Sequence, residues 1–199
     1  MITFAITGNI ATGKSTVTKT ISEKYGIPIV DVDLIIRQVV EPGKPGLQYL
    51  VNALGSGILK DDGYLNRAYI SNLVFNDKLS MNKLNAIMDP LVKEEVFNQV
   101  QDLHSQGHYL VGVDYPLLFE SGVNNLYYPI IVISCSPELQ LKRLMARNNF
   151  TKEQALVRID SQMSLQDKMA KSDFVIHNNN GLSELSSDIH SIVNKLKQL

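Results

Sequence analysis

The chain has 199 residues, 44% of them hydrophobic and 20% charged, and its 19 basic and 20 acidic side chains give a formal net charge of −1. That length can bury a core in one domain, and the balance excludes a chain too polar to fold, a strongly basic nucleic-acid binder and a protein held on anionic membrane. A single cysteine, Cys135, excludes an internal disulfide and a metal site built from cysteines alone.

The first predicted element is a buried strand over Ile2–Thr7. Gly8-Asn9-Ile10-Ala11-Thr12-Gly13-Lys14-Ser15 follows, with the spacing G-x-x-x-x-G-K-[ST] of a phosphate-binding loop. A helix is expected over Thr16–Tyr25, stopped by Gly26-Ile27-Pro28. Strand, loop and helix in this order form the setting the motif needs. Its backbone amides and the helix N-terminus would face phosphate oxygens. Lys14 would reach the β- and γ-phosphates, and the Ser15 hydroxyl would bind Mg²⁺. The motif indicates a nucleoside triphosphate without saying what is done with it. The short apolar start lacks preceding basic residues, and no stretch approaches the ~20 apolar residues of a membrane span. A cytoplasmic protein is expected.

A second strand is predicted over Pro28–Asp31, ending in Asp31-Val32-Asp33. Strand alternation would put the two carboxylates on one side, at the edge of a parallel sheet where ligands bind. Asp31 would then hold Mg²⁺ through water, and Asp33 would accept a hydroxyl proton or align the attacking oxygen. The competing role for either aspartate is to cap the segment Leu34-Ile35-Ile36. Residues 41–107 read as a helical insertion, far longer than a minimal crossover, and as a place for acceptor contacts. A third strand over Tyr109–Asp114 ends in an acid that would reach the metal through water, fix the Ser15 loop or simply end the strand. The apolar block Tyr115-Pro116-Leu117-Leu118-Phe119-Glu120 is expected to pack and to wall the acceptor pocket.

A fourth strand is predicted over Ile130–Cys135, with Cys135 a buried, inert thiol. Ser136-Pro137-Glu138 opens a helix that carries Arg143 and Arg147 on one face, suited to a shared phosphate. Residues 145–169, most polar from Asn148 onward, are expected to form a lid. A last strand over Phe174–His177 and a helix from Ser183 complete the pattern. The four histidines show no metal-ligand spacing. Near-continuous apolar strands alternating with helices predict a three-layer α/β fold around a five-stranded parallel sheet.

Taken in order, several blocks resemble the dephospho-coenzyme A kinase family, within the P-loop kinases. They are Thr7-Gly8-x-Ile10-Ala11-Thr12-Gly13-Lys14-Ser15, Asp31-x-Asp33-x-Ile35-x-Arg37, Asp62-Gly63-x-Leu65-x-Arg67 and Val74-Phe75. Further along come Asp114-x-Pro116-Leu117-Leu118-Phe119-Glu120, Gln140-x-x-Arg143-x-x-x-Arg147, Arg158-x-x-x-Gln162 and Asp173-x-Val175-Ile176-x-Asn178. The resemblance implies transfer of the γ-phosphoryl group of ATP, with Mg²⁺, to the ribose 3′-hydroxyl of dephospho-coenzyme A. It implies Asp33, Lys14 and Arg143 as catalytic residues. It implies that Gly8, Ala11, Thr12, Gly13, Lys14, Ser15, Thr16, Arg143, Arg147 and Asn178 bind ATP. Asp33, Arg37, Arg67 and Leu117 would meet the acceptor, and Ser15 and Asp31 the metal. The expected partner is the small-molecule substrate, with no nucleic acid and no membrane, in a monomer or small homo-oligomer. Three residues depart from the family pattern: Asn9 replaces a usual glycine, Val32 a usual alanine, and Asp89-Pro90 a usual His-Pro. The alternatives are a nucleoside or nucleotide monophosphate kinase on the same core and a nucleotide-dependent switch. Against the switch, Asn82-Lys83-Leu84-Asn85 ends in Asn where a guanine-binding motif has Asp.

Overall fold

A computed structural model describes residues 1–199. In chain order the elements are β1 (Ile2–Thr7), α1 (Lys14–Tyr25), β2 (Ile29–Asp31), α2 (Val32–Gln38), α3 (Pro45–Leu54), α4 (Arg67–Asn76) and α5 (Lys78–Ser105). They continue as β3 (Leu110–Asp114), β4 (Ile130–Ser134), α6 (Pro137–Asn148), α7 (Lys152–Asp160), α8 (Leu165–Ala170), β5 (Phe174–His177) and α9 (Leu182–Leu196).

The five strands form one sheet in the order β2-β3-β1-β4-β5, every neighbouring pair parallel. Period-2 alternation sorts side chains onto its two faces. Phe4, Ile6, Ile131 and Ile133 join Val17 and Ile21 of α1 and Leu185, Ile189 and Val193 of α9 in one apolar cluster. Ala5, Ile130 and Val132 join Leu118, Phe119 and Val123 in another, which Met163, Leu165 and Met169 also touch. The sheet is therefore covered on both sides, which is why its strands read as continuous apolar runs. Register places Ile6, Asp114 and Asp31 in one row across β1, β3 and β2, at or next to the carboxyl ends of these strands.

Two compact units make up the chain. Met1–Asp31 and Asp102–Leu199 form one, and Val32–Gln101 the other. The second unit begins and ends earlier than the insertion expected over 41–107, because α2 belongs to it while the last turn of α5 belongs to the first unit. In that turn, buried His104 sits 2.9 Å from Thr3 Oγ1 through Nε2 and 2.7 Å from the His108 carbonyl through Nδ1. The second unit is helical, with a core of Val40, Leu50, Ile58 and Ile70. Asp89 lies within α5, exposed, one residue before Pro90.

The structure differs from the expected local geometry in three places. Helix α1 starts at Lys14, so Ser15 and Thr16 stand in its first turn. Chain direction changes at Val32, so Asp33 is a first-turn residue of α2 and strand alternation does not relate it to Asp31. Helix α9 is capped by Gly181 and begins at Leu182, ahead of Ser183.

Candidate active site

The loop after β1 is shaped by close backbone approach. A Cβ on Gly8 would lie 2.6 Å from the Ile133 carbonyl oxygen, so only glycine fits against β4 there. Gly13, the N-cap of α1, has φ 96° and packs against the Asn178 side chain, which bars any larger residue twice over. Ala11 holds φ 64° although it carries a Cβ, a conformation that costs about 1–2 kcal/mol and that the surrounding loop must impose. Helix α1 has no side-chain cap and no acidic residue in its first turn. Its leading amides therefore present an uncompensated positive end, the arrangement that binds phosphate.

Several side chains brace this loop. Thr12 Oγ1 donates to the Asn9 carbonyl at 2.9 Å. Asn178, buried at the end of β5, donates from Nδ2 to the Thr12 carbonyl at 2.8 Å. Arg143 Nη1 donates to the Asn178 carbonyl at 3.1 Å, whereas exposed Arg147 turns its Nε to Asn148 Oδ1. Asn178 thus meets the backbone of the loop through its side chain, and the two arginines have different partners. Lys14 forms an ion pair with Asp114, the acid at the end of β3. Of the roles the sequence leaves open for Asp114, this one ties it to the loop, through Lys14. Ser15, Thr16 and Asp31 are exposed, as are Asp33, Arg37 and Arg67 of the second unit; Leu117 is 44% exposed.

Cys135 lies at the end of β4, buried, and burial pushes its thiol above the usual range, with the Arg143 guanidinium opposing that in part. A buried thiol whose ionisation is suppressed reacts slowly. Labelling of the folded protein at pH 8 by an aromatic disulfide should run at least about tenfold slower than in denaturant. Equal rates would contradict the burial.

The family model described as dephospho-CoA kinase matches residues 2–184. The chain is 46% identical to the dephospho-CoA kinase of Listeria monocytogenes over 193 residues, covering 97% of this chain and 96% of that protein. The chain belongs to the dephospho-CoA kinase family. It is also 38% identical to the dephospho-CoA kinase of Saccharomyces cerevisiae, covering 99% of this chain and 83% of the yeast protein. Among solved structures, the dephospho-CoA kinase from Campylobacter jejuni superposes with a TM-score of 0.74 at 29% identity, covering 98% of this chain and 97% of that one. The shikimate kinase of Acinetobacter baumannii, at 14% identity and a TM-score of 0.55 over 100% of this chain and 94% of that one, shares the fold. No helix is long and apolar enough to cross a membrane.

Within the dephospho-CoA kinase fold, the other flank of the loop carries a set of contacts that no local spacing in the sequence marks. Asn9, 4% exposed, donates from Nδ2 to the Met163 carbonyl at 2.9 Å. The Ile10 amide donates to Gln162 Oε1 at 2.8 Å, and Gln140 Nε2 donates to the Ile10 carbonyl at 2.9 Å. Glu120 accepts from the Met163 amide at 3.0 Å and pairs with Lys168 at 2.8 Å. Lys168 is fully buried, and its Nζ also lies 3.3 Å from the Pro116 carbonyl, which accepts the Thr7 hydroxyl as well. Glu120, Gln140 and Gln162 each stand in a block of the family resemblance, which was the one available signal. The departure at Asn9 gains a structural account here, because glycine would lose the bond to Met163.

Proposed function

We propose that this protein transfers the γ-phosphoryl group of ATP to the ribose 3′-hydroxyl of dephospho-coenzyme A, giving coenzyme A and ADP in the cytoplasm. The observation that carries the reading is an uncapped α1 N-terminus with Lys14 beside it, in a chain whose family match spans residues 2–184. In this reading Gly8, Ala11, Thr12 and Gly13 of the loop, with Lys14, Ser15 and Thr16 of the first turn of α1, cradle the triphosphate. Lys14 leaves Asp114 for the phosphates, so its charge follows the group being transferred. Arg143 and Arg147 add cationic donors, and the Asn178 loop lies beside the adenine.

The acceptor oxygen forms a bond to the γ-phosphorus as the bond to the β–γ bridging oxygen breaks. Asp33 orients the hydroxyl and takes its proton. The transition state of phosphoryl transfer is loose and asks little of a base, so orientation is the larger contribution of Asp33. Arg37 and Arg67 pair with anionic groups of the acceptor, and Leu117 contacts its apolar part. For the metal, no group of three or more His, Cys, Asp or Glu side chains is gathered to hold an ion. Mg²⁺ keeps several waters and takes one or two protein ligands plus phosphate oxygens, so a hydroxyl and one carboxylate suffice. Ser15 and Asp31 would be those ligands. When bound, Mg²⁺ neutralises charge on the β- and γ-phosphates.

An assay with Mg-ATP and a panel of acceptors, following ADP release, tests the assignment. Fast turnover is expected with dephospho-coenzyme A alone. Equal or better rates with nucleoside monophosphates would replace it by the monophosphate-kinase alternative.

A further inference from the structure

Helix α7 forms an arm anchored at its two ends. At one end, Asn149 caps α6 with a left-handed φ of 52°. At the other, residues 161–164 join α7 to α8. The arm stiffens itself: Thr151 and Gln154 form a reciprocal capping box, and the Arg158 guanidinium lies 4.0 Å from the Phe150 ring centroid. Its hold on the rest of the first unit is light. Ala155 is its one buried residue, while Leu156 and Val157 are 38% and 68% exposed. A self-supporting helix with exposed apolar residues and a small buried contact can change position at low cost.

The base of this arm is wired to the phosphate loop by the two bonds from Asn9 and Ile10 to Met163 and Gln162. The orientation of the Asn9 amide is fixed, since exchanging its ends would set oxygen against the Met163 carbonyl oxygen. Its Oδ1 is buried without a hydrogen-bond partner, so the side chain's contribution runs through Nδ2. Glu120 and Lys168 hold the far side of residue 163. We propose that Asn9 and Gln162 are positioning residues that couple the phosphate loop to the arm, so that nucleotide in the loop sets where α7 lies. Phosphate oxygens fix the direction of the loop amides, and with them the Ile10 amide and the Asn9 side chain. The Gln162–Met163 pair follows, and α7 pivots from it. Coupling of this kind is reciprocal, so loss of the link weakens the response of the arm to nucleotide while leaving nucleotide able to bind.

Limited trypsin cleavage of the full chain at Lys152 and Arg158, both exposed, reads the arm directly. A non-hydrolysable ATP analogue, at concentrations shown by calorimetry to saturate each variant, should slow wild-type cleavage by about tenfold, a typical coupling factor. In Gln162→Met and in Asn9→Ala the slowing should fall below about twofold at saturation, whereas Gln162→Glu, which retains an acceptor oxygen, should keep most of it. Full protection in both Gln162→Met and Asn9→Ala overturns the proposal, as does a wild type that binds the analogue without being protected. A wild type that does not bind the analogue overturns the ATP-site reading with it. If Gln162→Met does not fold, full protection in Asn9→Ala is enough to overturn the proposal.

Discussion

Replacing Asp33 by asparagine is expected to lower kcat by about 10²-fold or more while the affinity for ATP stays nearly unchanged. The substitution keeps the size and shape of the side chain and removes only its charge and its capacity to take a proton. Asp33 also stands in the first turn of α2, where a carboxylate favours the helix by about 0.3–1 kcal/mol. That contribution sets the scale of the loss in stability, at most about 1 kcal/mol, and it cannot produce a hundredfold fall in turnover. Steady-state kinetics with both substrates varied, alongside a denaturation curve, separates the two roles. A kcat within about threefold of wild type would remove Asp33 from the reaction and leave it a helix-end residue.

Legibility in the sequence followed the range of the interaction. The strands were readable because both faces of the sheet are covered, and each strand ran within one residue of the expected apolar segment. The phosphate loop was readable because its residues are contiguous and glycine meets a steric demand at Gly8 and Gly13. Asp33 was misplaced in its local geometry because Val30 and Val32 continue an alternating pattern past Asp31, and periodicity alone does not mark where a short strand turns into a helix. The wiring around Asn9 was invisible for another reason. Its partners lie more than 150 residues away along the chain, and no spacing rule connects a loop asparagine to a carbonyl that far off. The Lys14–Asp114 pair falls between these cases: an acid ending the third strand was expected, but the tertiary fold chose its partner.

Breaking the Lys168–Glu120 pair should destabilise the first unit, and unequally from its two sides. Lys168 has no solvent exposure, whereas the Glu120 side chain keeps 23%. Removing one member of a buried pair leaves the other as an uncompensated charge, at a cost of about 3–5 kcal/mol. In Glu120→Leu the stranded charge is a fully buried ammonium that keeps its contact with the Pro116 carbonyl. In Lys168→Met it is a carboxylate with a wet edge that still accepts from the Met163 amide. Glu120→Leu should therefore cost about 3 kcal/mol or more, and Lys168→Met clearly less. For a chain of this length, 3 kcal/mol corresponds to a fall in Tm of roughly 6–12 °C. The double variant Glu120→Leu/Lys168→Met should recover most of the loss, because an apolar pair of similar volume avoids the desolvation that each charge incurs. Denaturant unfolding of the four proteins closes the cycle. Equal losses in the two single variants, or a double variant whose loss equals their sum, would show that the pair is not acting as a desolvated unit.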